Sequence, residues 1–304
     1  MKKLTIALIC LLAVVGLAGC GNKAKGNTEI LMYDGKFSER KLVTRMTKLI
    51  VEEYTDLTVK IADEMTDVNM FKEQQADKLD IMLSYDGTLL TTYLKLNPED
   101  VPEGETIYDF VNRTASADIG VHLLGMLGIN NTYAIGVPQD IAEQYNLNTL
   151  SELAVVAPEL IFGAEHEFFS EEGSMKFTPF TNFYGMKFKE ARPLDGGLKY
   201  SAVESGQIDV TVVYTTDGLN KKAQLKVLED DRGYFPDYNG ALMVRDDFFE
   251  KFKDAAPELE SVLDKLTGIY TNDIMTDLTY QCDVEGKDFN EVAKTFLQLK
   301  GLIK

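Results

Sequence analysis

The sequence predicts an α/β protein of two lobes, each a mostly parallel sheet flanked by helices. Apolar runs of strand length alternate with segments of helical periodicity, and this alternation occurs twice along the chain. Turn residues such as Asp86 and Gly87 follow strand ends, which is where open α/β sheets bind ligands. We therefore expect a ligand in the cleft between the lobes.

The first alternation lies between residues 29 and 83. Three short apolar runs predict strands, and two segments with apolar residues every three or four positions predict helices. The strands are expected at 29–33 (EILMY), 57–61 (LTVKI) and 79–83 (LDIML), and the helices at 39–54 and 71–78.

The second alternation starts near Asn130, and a helical cap follows it. Strands are expected at 132–137, 160–163 and 208–214, and helices at 139–145, 149–156 and 198–205. From residue 241 onward the pattern is helical, with helices expected at 246–253, 257–266, 272–281 and 290–299. We expect these last helices to pack on one of the two lobes.

The N-terminus predicts export. Lys2 and Lys3 precede an apolar run that ends in Leu17-Ala18-Gly19-Cys20, as in a secretory signal peptide over residues 1–19. The last four residues resemble a bacterial lipobox, which implies that Cys20 carries lipid. The mature chain is then extracytoplasmic and anchored to the bacterial cell membrane, with residues 20–28 as a flexible tether. An ordinary signal peptide with an incidental cysteine is the alternative.

Charge and cysteine content restrict the partners. Without Lys2 and Lys3 the chain has 29 basic and 49 acidic residues. Such a surface repels nucleic acid, so no nucleic-acid partner is expected, and it suits a cationic ligand. Once Cys10 leaves and Cys20 is lipidated, only Cys282 remains, which excludes an intramolecular disulfide.

The sequence does not predict an enzyme, a cofactor or a metal site. It contains none of the GxSxG, HExxH, CxxC, P-loop or GxGxxG patterns in a suitable context. Residues 162–173 (FGAEHEFFSEEG) combine His166 with four glutamates, but on a strand His166 and Glu167 point to opposite faces. His122 stands in an apolar stretch and is interpreted as a satisfied core histidine.

The tyrosines are the distinctive feature of the composition. The chain has 14 tyrosines and no tryptophan, and Tyr85, Tyr133, Tyr214 and Tyr238 stand beside turns. Ring faces gathered at a cleft can enclose a quaternary ammonium group by cation–π attraction. The alternative is that each ring is a half-buried packing residue with its hydroxyl in water.

Five stretches together resemble a known family, the substrate-binding lipoproteins of osmoprotectant ABC transporters, which bind glycine betaine, carnitine, proline-betaine or choline. The stretches are NNTYA (130–134), FGAEHEF (162–168), YTTDG (214–218), FPDYN (235–239) and YQCDVEGK (280–287). The resemblance implies a two-lobe periplasmic-binding-protein clamshell of type II. It places lobe 1 at 29–128 plus 229–304 and lobe 2 at 129–228.

The same resemblance implies the ligand site and the partners. The family's aromatic cage falls on Tyr85, Tyr133, Tyr214 and Tyr238, with Thr88 and Asn131 beside it. The implied partners are a small quaternary amine, a membrane permease and its ATPase. A non-transport ligand sensor on the same fold is the alternative.

Two departures from the family pattern bear on the ligand. The lysine and arginine that usually hold a betaine carboxylate fall on Gly35 and Glu171. Glu171 is therefore a candidate ligand-site residue that would act as a specificity switch. A site without both cations would hold a carboxylate poorly, because an unpaired buried charge costs several kcal/mol. We expect no fixed positive charge beside the rings, and a guanidinium in the groove would contradict this account. We therefore expect choline, with a possible acceptor for its hydroxyl among Asp34, Asp67 and Asp86.

The alternative keeps a ligand that carries a carboxylate. Glu171 would then be a solvated loop acid, and Lys36 or Arg192 would hold the carboxylate from another angle. Glycine betaine, carnitine or ergothioneine would be the ligand in that case.

Overall fold

The computed structural model describes residues 27–169, 175–195 and 198–304. The predicted signal peptide, Cys20 and Glu171 lie outside the described residues. No described helix is long and apolar enough to cross a membrane.

The predicted alternation of strands and helices is present. The strands are β1 (Glu29–Tyr33), β2 (Thr58–Ala62), β3 (Ile81–Tyr85), β4 (Val121–Asn130), β5 (Tyr133–Pro138), β6 (Ile161–Glu165), β7 (Glu190–Leu194), β8 (Val210–Tyr214), β9 (Leu225–Leu228) and β10 (Asn239–Arg245). The helices of the first 160 residues are α1 (Ser38–Tyr54), α2 (Asp67–Gln75), α3 (Asp86–Thr88), α4 (Ile107–Ile119), α5 (Gln139–Tyr145) and α6 (Leu150–Val156). The later helices are α7 (Phe177–Tyr184), α8 (Leu198–Glu204), α9 (Gly218–Lys222), α10 (Phe248–Phe252), α11 (Leu259–Leu263), α12 (Asn272–Asp283) and α13 (Phe289–Leu299).

The strands fall into two groups. In the first, β3, β10 and β4 pair in that order and β1 pairs with β2. The Asp80 amide donates to the Leu31 carbonyl at 2.9 Å, which places β1 beside the start of β3. The second group is a five-stranded sheet in the order β7-β6-β8-β5-β9.

The first group combines a parallel pair, β1–β2, with the antiparallel sheet β3-β10-β4, and the second group is one mixed sheet, so the sheets contain more antiparallel pairing than the sequence predicted. β1–β2, β6–β7 and β6–β8 are parallel, whereas β10 runs antiparallel to both β3 and β4, and β5 runs antiparallel to both β8 and β9. The two antiparallel strands, β5 and β10, are those that follow each passage of the chain from one group to the other. Parallel neighbours need a crossover connection, usually a helix. A strand that the chain enters directly from the other group has no such helix before it and runs antiparallel to its neighbours.

Each group has its own hydrophobic cores. The apolar face of α1, including Leu42, Val43, Met46 and Ile50, is fully buried against β1–β3 and the C-terminal helices. A separate cluster around Phe162 and Phe180 fills the second group. One further cluster lies in each group, and the separation of the cores by group indicates two folding lobes. The exact boundaries given above stay a prediction.

The sequence predicted a helical C-terminal region, but this region also contains a strand. Residues 239–245 form β10, a buried central strand that pairs on both sides. Helix α13 packs on α1, and α12 packs on α1 and on α9 of the second group. A Cβ at Gly218 would collide with the backbone of Tyr280, so only glycine lets α9 approach α12 this closely.

The two chain passages between the groups are hydrogen-bonded to each other. The Asn131 amide donates to the Tyr238 carbonyl at 2.9 Å, and the Tyr238 amide donates to Asn130 Oδ1 at 2.7 Å. Asn272 from α12 donates to the Asn130 carbonyl at 3.0 Å. These bonds fix the residues at the floor of the space between the two groups.

Candidate ligand-binding site

A cavity of about 490 Å³ lies between the two groups of strands. Its walls are formed by the N-terminal end of α1 in the first group, by β6, β8, α8 and α9 in the second group, and by α12. The lining residues are Lys36, Phe37, Ser38, Glu39, Arg40, Asp67, Tyr85, Thr88, Asn131, Glu165, Lys199, Tyr200, Tyr214, Thr216, Asp217, Leu219, Tyr238, Thr279 and Asp283. The volume suits a small organic ligand.

One wall carries the ring pair Tyr85 and Tyr238. Tyr85 ends β3 and Tyr238 directly precedes β10, and their ring centroids are 6.2 Å apart at an angle of 41°. The Tyr85 hydroxyl donates to the Glu39 carboxylate. A Cβ at Gly87 would collide with the Tyr238 ring, so glycine at this position gives the ring its place.

The opposite wall carries Tyr214, with Tyr133 stacked against it. The two residues are direct partners in the β5–β8 pairing, and their ring centroids are 5.1 Å apart. Tyr214 is 39% exposed and lines the cavity. Tyr133 is not among the lining residues and also contacts Phe168 and Phe235, so it supports the Tyr214 ring from the side.

Tyr200 is a lining residue that sequence reasoning missed. It lies on α8, and its hydroxyl donates to the carboxylate of Asp217 and lies 3.0 Å from Asn220 Oδ1. In the sequence Tyr200 sits within a helical pattern. Periodicity does not distinguish a core tyrosine from one that faces a cavity.

Two buried cations beside the rings contradict the expectation that the site has no fixed positive charge. Arg40 donates to the Leu83 carbonyl and to Asp67 at 2.6 Å, and its guanidinium carbon is 5.3 Å from the Tyr85 ring centroid. Lys199 pairs with Glu165 at 2.8 Å, and its ammonium is 5.4 Å from the Tyr214 ring centroid.

These cations come from positions other than 35 and 171, the two at which the family usually carries its cations. Arg40 reaches the cavity from the first turn of α1, and Lys199 reaches it from α8, on a different wall. Both cations already hold a carboxylate of the protein, so neither offers an unpaired charge to a ligand carboxylate. Lys36 differs, since it is exposed at the cavity and forms no ion pair within the described residues.

The lining is acidic on balance. Its carboxylates are Glu39, Asp67, Glu165, Asp217 and Asp283, against the three cations Lys36, Arg40 and Lys199. An excess of negative charge on the walls of a cleft concentrates cationic ligands.

The other predicted site residues divide between the cavity and its surroundings. Thr88, Asn131 and Asp67 line it. Asp34 is not a lining residue, and both of its oxygens accept from the Arg45 guanidinium at 2.9 Å. Asp86 is fully buried beside the cavity, where it accepts from Asn239.

The alternative cation and the two histidines lie elsewhere. Arg192 on β7 pairs with Glu190 and donates to the Gln207 carbonyl, and it is not a lining residue. His166 is exposed at the end of β6, and His122 pairs with Asp246 at 2.7 Å. Within the described residues no group of three or more His, Cys, Asp or Glu is placed to hold a metal ion.

Comparison with known proteins identifies the family of this chain. The model of the OpuAC family, the substrate-binding domain of ABC-type glycine betaine transport systems, matches residues 31–299. The chain belongs to the OpuAC family. The resemblance seen in the sequence is thereby confirmed.

Two relatives of known function resemble this chain. The carnitine transport binding protein OpuCC of Listeria monocytogenes (serotype 1/2a, strain 10403S) is 30% identical over 308 residues, which cover 98% of this chain and 97% of OpuCC. The ergothioneine transport permease/binding protein EgtU of Helicobacter pylori (strain G27) is 33% identical over 223 residues, or 73% of this chain. The match spans 38% of the length of EgtU.

A solved OpuAC-type structure shares the fold. The crystal structure of a glycine betaine/carnitine/choline ABC transporter superposes with a TM-score of 0.82 at 25% identity, covering 91% of this chain and 99% of that one. The predicted type II clamshell is confirmed. This chain is accordingly an extracytoplasmic solute-binding protein of a betaine-, carnitine- or ergothioneine-type ABC transporter, and its family is not an enzyme family.

Proposed function

We propose that this protein captures a methylated quaternary ammonium compound, choline first, and delivers it to its ABC permease. The observation that carries the proposal is a cavity lined by Tyr85 and Tyr238 on one wall and by Tyr214 on the other. A quaternary ammonium group has no N–H to donate, so ring faces replace water around it better than hydrogen-bond acceptors do.

Choline is placed first because of the charges around the cage. Arg40 and Lys199 are each neutralised by a carboxylate, and the lining as a whole has more acids than bases. A cation gains from such a lining, whereas a ligand carboxylate would have to displace Asp67 or Glu165 from its partner. Each pair joins a buried cation to a partly exposed carboxylate, so a ligand carboxylate that replaced the protein's would gain little.

A zwitterionic ligand is the second candidate, and one observation favours it. Lys36 lines the cavity and has no ion-pair partner among the described residues. Its flexible ammonium is able to meet a ligand carboxylate at the mouth of the cavity. Glycine betaine or carnitine would then occupy the same cage.

Ligand-driven closure and membrane attachment complete the proposal. Rings from both walls engage one ligand, so binding favours the arrangement in which the walls are close. We place the lipid on Cys20 and the division into lobes at 29–128 plus 229–304 and 129–228.

Calorimetric titration of the chain from residue 21 onward tests the proposal. Choline, glycine betaine, carnitine and ergothioneine are compared under one buffer condition. Tight choline binding with weak glycine betaine binding is expected. Tighter binding of glycine betaine would overturn the choice of choline, and failure of all four would overturn the quaternary-ammonium site itself. Lipid attachment is tested separately: the mass of the peptide that contains Cys20 is measured in the expressed full-length chain.

A further inference from the structure

Glu39 is a cavity-lining acid with one oxygen that has no donor. It lies in the first turn of α1, where helix geometry favours an acid, and it is 4% exposed. Its Oε1 atom accepts from the Tyr85 hydroxyl and from Asn131 Nδ2 at 3.2 Å. Its Oε2 atom is buried and has no hydrogen-bond partner within the described residues.

A second acceptor without a donor accompanies it. Asn131 Oδ1 is also buried and unpartnered among the residues described. Both residues line the cavity, and they meet through Asn131 Nδ2 and Glu39 Oε1 at the chain passage between the lobes. Two acceptors cannot satisfy each other, and a buried acceptor left unpaired costs about 1–3 kcal/mol, more when it is charged.

Two donors lie near the carboxyl, the Arg40 guanidinium and the Thr216 hydroxyl. The Arg40 guanidinium is bonded to Leu83 and Asp67. The Thr216 hydroxyl lowers the pKa of the Glu39 carboxyl, yet no bond of good geometry closes on Oε2. Burial is the larger influence on Glu39 and raises the pKa of its carboxyl, an effect that a cationic ligand beside it would oppose.

We propose that Glu39 Oε2 and Asn131 Oδ1 receive a hydroxyl or N–H donor of the ligand. This inference rests on the proposed function and narrows it. The site then selects quaternary ammonium compounds that carry a donor a few bonds from the nitrogen, as choline does, over those that carry only acceptors there. A carboxylate at the same place would face two oxygens and be repelled.

An isosteric ligand pair tests the role of the donor. Choline is compared with (2-fluoroethyl)trimethylammonium, in which fluorine replaces the hydroxyl and no donor is left. We expect the chain from residue 21 onward to bind choline about tenfold or more tightly than the fluoro analogue, the range for a hydrogen bond to a charged group. In Glu39→Gln the ratio is expected to fall to about threefold or less.

The outcomes separate this inference from the function on which it rests. Equal binding of both ligands by the wild-type chain would overturn the role of the donor and leave the tyrosine cage standing. A large ratio that persists in Glu39→Gln would assign the donor to another residue and overturn the inference. If the wild-type chain binds neither ligand, the proposed function itself is overturned. If Glu39→Gln does not fold, judged by circular dichroism, Glu39→Asp with its retracted carboxylate is expected to lower the ratio in the same direction, and an unchanged ratio would overturn the inference.

Discussion

Tyr133 and Tyr214 stack because they are direct partners across the antiparallel pairing of β5 and β8. Their ring centroids are 5.1 Å apart and their planes differ by 29°. Tyr214 faces the cavity, and Tyr133 leans on Phe168 and Phe235. The cavity ring is therefore held by the sheet and the core of the second lobe, which fixes its orientation before a ligand arrives.

Removal of the Tyr214 ring should weaken choline binding. Cation–π attraction at a desolvated ring contributes about 2 kcal/mol, so we expect Tyr214→Ala to lower the affinity about tenfold to thirtyfold. Tyr214→Phe keeps the ring face and should stay within about threefold. Isothermal calorimetry measures both. The partly exposed Tyr54, whose hydroxyl donates to the Leu302 carbonyl far from the cavity, provides the control Tyr54→Ala, and a similar loss there would contradict the prediction.

A methyl group at Gly87 should act on the ligand through Tyr238. A Cβ at this position collides with the ring, which must turn away from its place on the cavity wall. We expect Gly87→Ala to lower choline affinity about fivefold to tenfold, within the range for one ring. In a Tyr238→Ala background the same change should have almost no further effect on affinity. Additive losses in that double variant would show that Gly87 acts by another route.

Replacement of Lys36 distinguishes a cationic ligand from a zwitterionic one. Lys36→Met removes a positive charge from the cavity mouth, so choline affinity should stay unchanged or rise about twofold to threefold. If a ligand carboxylate bonds to Lys36, carnitine affinity should instead fall about tenfold. The exposed Lys60 on β2 supplies the control Lys60→Met. A fall in choline affinity with Lys36→Met alone would contradict the placement of choline first.

Acidification should stabilise the folded chain through Asp86. Burial raises the pKa of its carboxyl from 3.8 to about 6, although bonds from Asn239 and Gly87 oppose the rise. The folded state therefore binds a proton more tightly than the unfolded state, and the free energy of unfolding rises as the pH falls below about 6. Relative to Asp86→Asn, the wild-type chain should gain about 1 kcal/mol between pH 7 and pH 5.

Urea unfolding at pH 5, 6 and 7 measures this difference. The exposed acid Asp118 provides the comparison Asp118→Asn, which should follow the wild-type chain across the same range. Parallel curves for the wild-type chain and Asp86→Asn would mean that Asp86 does not titrate in this window.

Local periodicity predicted six of the ten described strands and missed β4, β7, β9 and β10, of which only β10 is central in its sheet. The run at residues 29–33 is β1, and the spaced apolar residues after Glu39 form α1. β10 was assigned to the helical region because its residues are buried on both faces, so the sequence GALMV has no alternation that marks a strand.

The sequence by itself determined the family, the α/β class and the tyrosines that stand beside strand ends, because these depend on order along the chain and on local spacing. Only the tertiary structure decided which side chains share the cavity. Glu39, Arg40, Lys199 and Tyr200 lie on helices whose patterns show an apolar face but not the neighbour that each polar position meets. That neighbour is set by how the two lobes pack across the chain passages at Asn131 and Tyr238, and no local pattern encodes a contact between residues so far apart in the chain.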